Sequence, residues 1–140
     1  MRLRIFLAEL RRYRPTPLGI GLLLAGVGFL VWTGLSVWAG LGGEDDAFHL
    51  REAWTAEAYF LLGMPLMCAA VAAAAFALPE QAWRWPLWLV AGHQAGIMSA
   101  GLGMQSGVSL FILTLALAVL LATLFAIPAL VGSLMARRLA

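Results

Sequence analysis

From Val108 to Ala136 the sequence carries no charged side chain. Three further stretches share the property: Pro17 to Ala39, Pro86 to Met104, and Glu57 to Leu78 after its opening glutamate. About 20 such residues, coiled as a helix, cross the hydrocarbon core of a bilayer. Inside that core every backbone N–H and C=O needs a partner within the protein, and a helix supplies one locally. Only 11% of the residues are charged and 63% are hydrophobic, where soluble domains carry about 25% charged residues. A water-soluble fold of this composition would present an apolar surface to water. The expected fold is therefore an all-α integral membrane protein, an up-down bundle of four transmembrane helices. Its spans are read at about 17–39, 57–78, 86–104 and 108–136, forming one membrane domain over 17–136.

The boundaries carry local signals. Pro17 suits the first turn of a helix, Thr55 is a candidate cap for the second span, and Pro79 stops it. The fourth span is long enough to tilt or to project beyond the bilayer. "VWA" at Val37–Ala39 would serve as a signal-peptide cleavage site, but the apolar region before it exceeds the usual 7–15 residues, so the first span is read as a retained anchor.

Charge between the spans sets the orientation. Arg2, Arg4, Arg11, Arg12 and Arg14 precede span one, Arg84 lies between spans two and three, and Arg137 and Arg138 follow span four. The loop at 40–56 is acidic, and "QSG" between spans three and four is uncharged. Basic residues stay on the cytoplasmic side, so both termini and the Arg84 loop are expected there. The exclusive use of arginine among the basic residues fits a GC-rich bacterial genome, and the expected location is a bacterial cytoplasmic (inner) membrane. Trp83, Trp85 and Trp88 then mark the cytoplasmic interface, and Trp32, Trp38, Trp54 and Tyr59 the outer one.

Residues 1–14 read as a separate amphipathic helix. Leu3, Phe6, Leu7 and Leu10 fall on one face, and Arg2, Glu9 and Arg12 elsewhere. Such a helix lies in the headgroup layer, where its arginines attract anionic lipids. Docking to a protein partner is the alternative.

The chemistry-bearing residues are few. His93 and Gln94 fall near the middle of span three, and polar groups at that depth are functional candidates by default. A neutral histidine can ligate haem iron or a chlorophyll magnesium, relay protons or form a hydrogen bond. Gly92, Gly96 and Ala100 form a row of small residues that permits close helix contact. The favoured reading is a hydrogen bond between helices beside a tight crossing, with Thr114, Thr123 or a carbonyl freed by proline as its partner. Adjacent residues point about 100° apart on a helix, so His93 and Gln94 are expected to face different neighbours. In the loop, Asp45, His49 and Glu52 would share a helix face and are weak candidates for a divalent metal. Pro65 and Pro128 each remove a helix hydrogen bond, at Leu61 and Leu124, and are read as kinks, with a gating hinge as the alternative. The segments "LLGMPLMC" and "LFAIPALV" resemble each other, but Pro65 falls in the outer half of its span and Pro128 near the inner end, which argues against a duplicated transporter.

Cys68 is the single cysteine, so paired-cysteine redox and zinc motifs are excluded. No acid lies inside a span. No phosphate-binding glycine loop, convincing serine–histidine–acid set or metal-protease motif is present, and no cofactor is expected. The split basic residues lack interleaved aromatics, against nucleic-acid binding. In length and span number the chain resembles small multidrug exporters, but it lacks their glutamate in span one. The size of fluoride channels and of quinone-linked thiol oxidases is similar, without the phenylalanine–threonine stretch of the first or the paired cysteines of the second. No family is assigned on these residues.

The expected function is that of a non-enzymatic membrane protein that acts by packing. It would be an accessory subunit of a larger membrane complex or a homo-oligomer. The first alternative is an oligomeric channel or transporter with His93 and Gln94 lining a midplane path. Four short helices enclose little beyond their own side chains, so such a path needs several copies. The second is a pigment- or haem-binding subunit held through His93.

Overall fold

The computed structural model describes residues 16–41, 57–99 and 108–139, with side chains described at 16–38, 57–99 and 114–139. The expected helix at 1–14, residues 42–56 of the expected loop, Ala100 and the remainder of span three to Met104 lie outside the described residues; Gly40 and Leu41, read as the start of that loop, belong to the first helix. Within them the protein is all-helical, with four helices and no strand. These are α1 (Pro17–Leu41), α2 (Tyr59–Ala77), α3 (Trp85–Ser99) and α4 (Val108–Arg138). Three of them, α1, α2 and α4, are long and apolar enough to cross a membrane. The 15 described residues of α3 make a helix of about 22 Å, against a hydrocarbon core of about 30 Å.

Sequence explains the helix ends. Thr16 precedes Pro17, and its hydroxyl accepts a hydrogen bond from the Gly19 N–H at 3.2 Å. This is an N-cap followed by proline at the first helical position, where proline gives up no hydrogen bond. Leu78 leaves helical geometry, and Pro79–Arg84 forms a short 3-10 turn into α3. The Leu78 carbonyl accepts from the Gln81 N–H at 3.2 Å and from the Trp85 indole N–H at 3.3 Å. Trp85 is thus buried and ties the α2–α3 connection together, while the Trp83 ring is highly exposed.

α2 opens with an irregular turn. Tyr59–Gly63 is a π-helical turn, with the Met64 N–H donating to the Tyr59 carbonyl five residues back. Pro65 follows immediately. α4, by contrast, runs as one uninterrupted α-helix through Pro128.

The helices pack chiefly as α1 on α3 and α2 on α4. Glycines set the first pairing. A Cβ at Gly92 would run into the Ala25 backbone, and one at Gly28 into the Leu89 carbonyl. A Cβ at Gly21 would meet the Trp88 indole at 2.6 Å, and one at Gly96 would meet Trp32 at 3.0 Å. The contacts advance together, from Gly21 with Trp88 through Ala25 with Gly92 to Trp32 with Gly96, so α1 and α3 run parallel. Where glycine lacks a side chain, two backbones approach closely and gain van der Waals contact along their length. In the α2–α4 pair, Gly132 lies against the Ala72 carbonyl. Around it Met67, Val71, Ala74, Ala75, Leu121, Phe125 and Ala129 form an apolar core.

Candidate functional site

The α1–α3 crossing places one ionisable side chain in the interior. His93 follows Gly92, whose lack of a side chain lets α1 close over this part of α3. The His93 imidazole is 1% exposed. Its Nε2 lies 2.9 Å from the Tyr59 hydroxyl oxygen, a hydrogen bond whose direction follows the histidine tautomer. Trp32 of α1 closes the group from another side, its ring 5.1 Å from the imidazole centroid and at 68° to it. Trp32 also meets the Tyr59 ring nearly edge-on, at 6.3 Å and 80°. Edge-to-face contacts of this kind are favourable because the positive rim of one ring meets the negative face of the other.

Each member comes from a different helix, and each is placed by a local feature. Trp32 is held beside Gly96, where a larger residue would collide with its indole. Tyr59 is aimed inward by the π turn. Its neighbours Phe60, Leu61 and Leu62 all point outward. Gly63 ends that turn against Leu35 and Val31 of α1, where an added Cβ would lie 2.9 Å and 3.0 Å from their methyl carbons.

This geometry adds two features to the expected site. Trp32 and Tyr59 are interior residues here, at 0% and 2% exposure. Trp38, six residues beyond Trp32 in the same helix, is exposed. Tyr59 is a bond partner of His93 that was not among the expected ones. The Thr123 hydroxyl donates to the Val119 carbonyl within its own helix at 2.8 Å. Nothing in the local sequence marks Tyr59 as a partner. The available signal was its hydroxyl, which needs a hydrogen bond whenever the ring is buried.

His93 and Gln94 do face different surroundings. Gln94 shares a helix face with Val90 and Ile97, four residues before it and three after, and both are buried. Among the described residues neither atom of its carboxamide group has a hydrogen-bond partner, though both are inaccessible. Ser36, buried in α1, has an unbonded hydroxyl as well. The other described serines and threonines of the helices with a recorded bond, Thr33, Ser99, Thr123 and Ser133, return theirs to a carbonyl three or four residues back. Pro65 is exposed and Pro128 half-buried. Asp45, His49 and Glu52 lie outside the described residues.

Chemically the Tyr59–His93–Trp32 group is compact. Nε2 is engaged by a hydroxyl, and both neighbours are aromatic. Ligation of haem iron or a chlorophyll magnesium through Nε2 would require Tyr59 to leave. No family model, curated protein or solved structure matches the chain. The functional reading therefore rests on this geometry.

Proposed function

We propose that the protein is a small, non-enzymatic integral membrane protein that acts by helix packing, as an accessory subunit of a larger membrane complex or as a homo-oligomer. One observation carries the reading. The ionisable side chain at mid-helix, His93, is bonded and enclosed by side chains of its own chain, which supports a role inside the bundle over a path between copies. The outward faces offer contact surface only. Leu18, Leu22 and Leu30 of α1, Leu62 and Leu66 of α2, and Val119 and Ile127 of α4 are all exposed. Lipid or neighbouring membrane helices cover such residues.

In this reading α3 continues through the apolar sequence to Met104 as a fourth span. The parallel run of α1 and α3 supports an up-down order. Arginine placement puts both termini on the cytoplasmic side of a bacterial inner membrane, with the arginine-rich first fourteen residues on anionic lipid. The test is the mass of the intact particle after gentle extraction of tagged protein from its native membrane. A stoichiometric complex with other membrane proteins, or a defined homo-oligomer, is the expected result. A monodisperse single copy overturns the proposal.

A second reading, an oligomeric channel or transporter, is favoured by Gln94 alone. A carboxamide buried without partners costs free energy in a low-dielectric interior, and a passing polar solute would relieve that cost. Flux through reconstituted vesicles that falls in Gln94→Leu at constant protein level would select this reading over packing.

A further inference from the structure

The π turn at Tyr59–Gly63 needs a cause. A π turn holds one residue more than an α turn, is rare, and occurs mostly as a single turn inserted in an α-helix. Left alone, the backbone would return to α geometry. Two features of α2 could hold it open. One is Pro65, whose ring crowds the carbonyl four residues back, a clash that a wider turn relieves. The other is the hydrogen bond from Tyr59 to His93.

The chain contains its own control. Pro128 sits inside α4, and α4 is α-helical on both sides of it. A proline in an apolar helix of this protein does not by itself produce a π turn. What α2 has, and what α4 lacks among the described residues ahead of its proline, is a side chain at the head of the turn tied to another helix.

Closing the turn to α geometry has a defined consequence. Everything before it rotates by about 100°, one helical residue. The position now held by Tyr59, five residues before Met64, passes to Phe60, four residues before it. Phe60 is 59% exposed and packs edge-on against Tyr59 at 5.4 Å, so it stands next to the slot it would enter. Phe60 can fill the space beside Trp32 but cannot bond to His93. Glu57 and Ala58 turn with it.

We propose that the first turn of α2 is a two-register element, and that the Tyr59–His93 hydrogen bond is the latch that selects the wide register. The inference is independent of whether the protein works as a subunit or as a homo-oligomer. It makes His93 the means by which the interior of the bundle sets the direction of the chain entering α2.

The test uses the full chain in lipid nanodiscs, with Cys68→Ala and nitroxide labels at Glu57→Cys and Trp38→Cys, both exposed positions. Pulsed electron-spin resonance reads the distance between them. The parent should give one principal distance. Tyr59→Phe should enlarge a second population, displaced by several ångströms, by roughly threefold to twentyfold, the range that one interhelical hydrogen bond sets. His93→Leu breaks the same bond from the other side and should enlarge the same population. Deleting Leu61 from the Tyr59→Phe chain removes the extra residue, so the parent distance should return. An unchanged distance in both Tyr59→Phe and His93→Leu overturns the latch. So does a shift produced by Pro65→Ala alone, which would make the π turn a relief of proline strain.

Discussion

The two helix pairs are built on one principle and differ in content. In each, a glycine lets one backbone rest on another: Gly92 on Ala25 in the α1–α3 pair, and Gly132 on Ala72 in the α2–α4 pair. The α2–α4 core is apolar apart from Ser133, whose hydroxyl returns to the Leu130 carbonyl of its own helix at 2.9 Å. The α1–α3 core holds His93, Trp32 and Ser36, and it reaches across to α2 through Tyr59. Packing by small residues is thus enough to join membrane helices here. The polar groups do a different task, because hydrogen bonds depend on angle and fix how one helix is rotated against the next. The α2–α4 contact sets distance, while the Tyr59–His93 contact sets rotation.

The largest effect should come from Gly92→Val. Its Cβ would occupy the space of the Ala25 backbone, and a backbone cannot rotate away as a side chain can. The expected loss is upward of about 3 kcal/mol, read by unfolding in mixed detergent micelles. Parent-like stability would mean that α1 and α3 do not meet at this crossing. Gly132→Val should cost somewhat less, about 2 kcal/mol, because the Ala72 carbonyl oxygen is the main obstacle and α4 can shift along it. If it proves the costlier of the two, the ranking of the pairs is inverted.

A double-mutant cycle of Tyr59→Phe and His93→Leu isolates the polar contact. Its coupling energy should be about 0.6–1.7 kcal/mol, as for other hydrogen bonds between membrane helices. A coupling near zero would remove the distinction between the two pairs. The smallest effect, of opposite sign, belongs to Gly26→Ala and Gly34→Ala. Among the described residues no atom outside the local helix backbone lies within 4 Å of a Cβ added at either position, and alanine is the better helix former by about 0.5–1 kcal/mol. Both variants should be neutral or slightly stabilising in the isolated chain. If either instead weakens assembly in the native membrane while the isolated chain is unharmed, the open face of α1 is covered by another helix there.

Some of the site was legible in the sequence. A histidine beside Gly92 and Gly96, deep in an apolar run, pointed to an interior hydrogen bond close to a tight crossing, and the structure places His93 in that setting. Its partner was not legible. Tyr59 lies thirty-four positions away in sequence, at the start of another span, where an aromatic with a polar tip usually marks the membrane interface. The burial of Trp32 and Trp85 was not legible either. An indole suits an interface or a bonded interior site equally well, and only the neighbours distinguish the two.

The sequence alone determined that the chain is helical and apolar enough to meet a membrane, where its first helix begins and its second stops, and which residues are small enough to let backbones touch. Those properties are local. They follow from transfer free energies, caps and prolines read one stretch at a time. Tertiary structure decided which face of each helix turns inward. On a soluble helix an apolar stripe would announce that face, but these helices are apolar on every side and carry no such mark. Rotation was left to contacts between distant residues: glycine against backbone, Trp32 against His93, and Tyr59 brought to its partner by one extra residue in a turn.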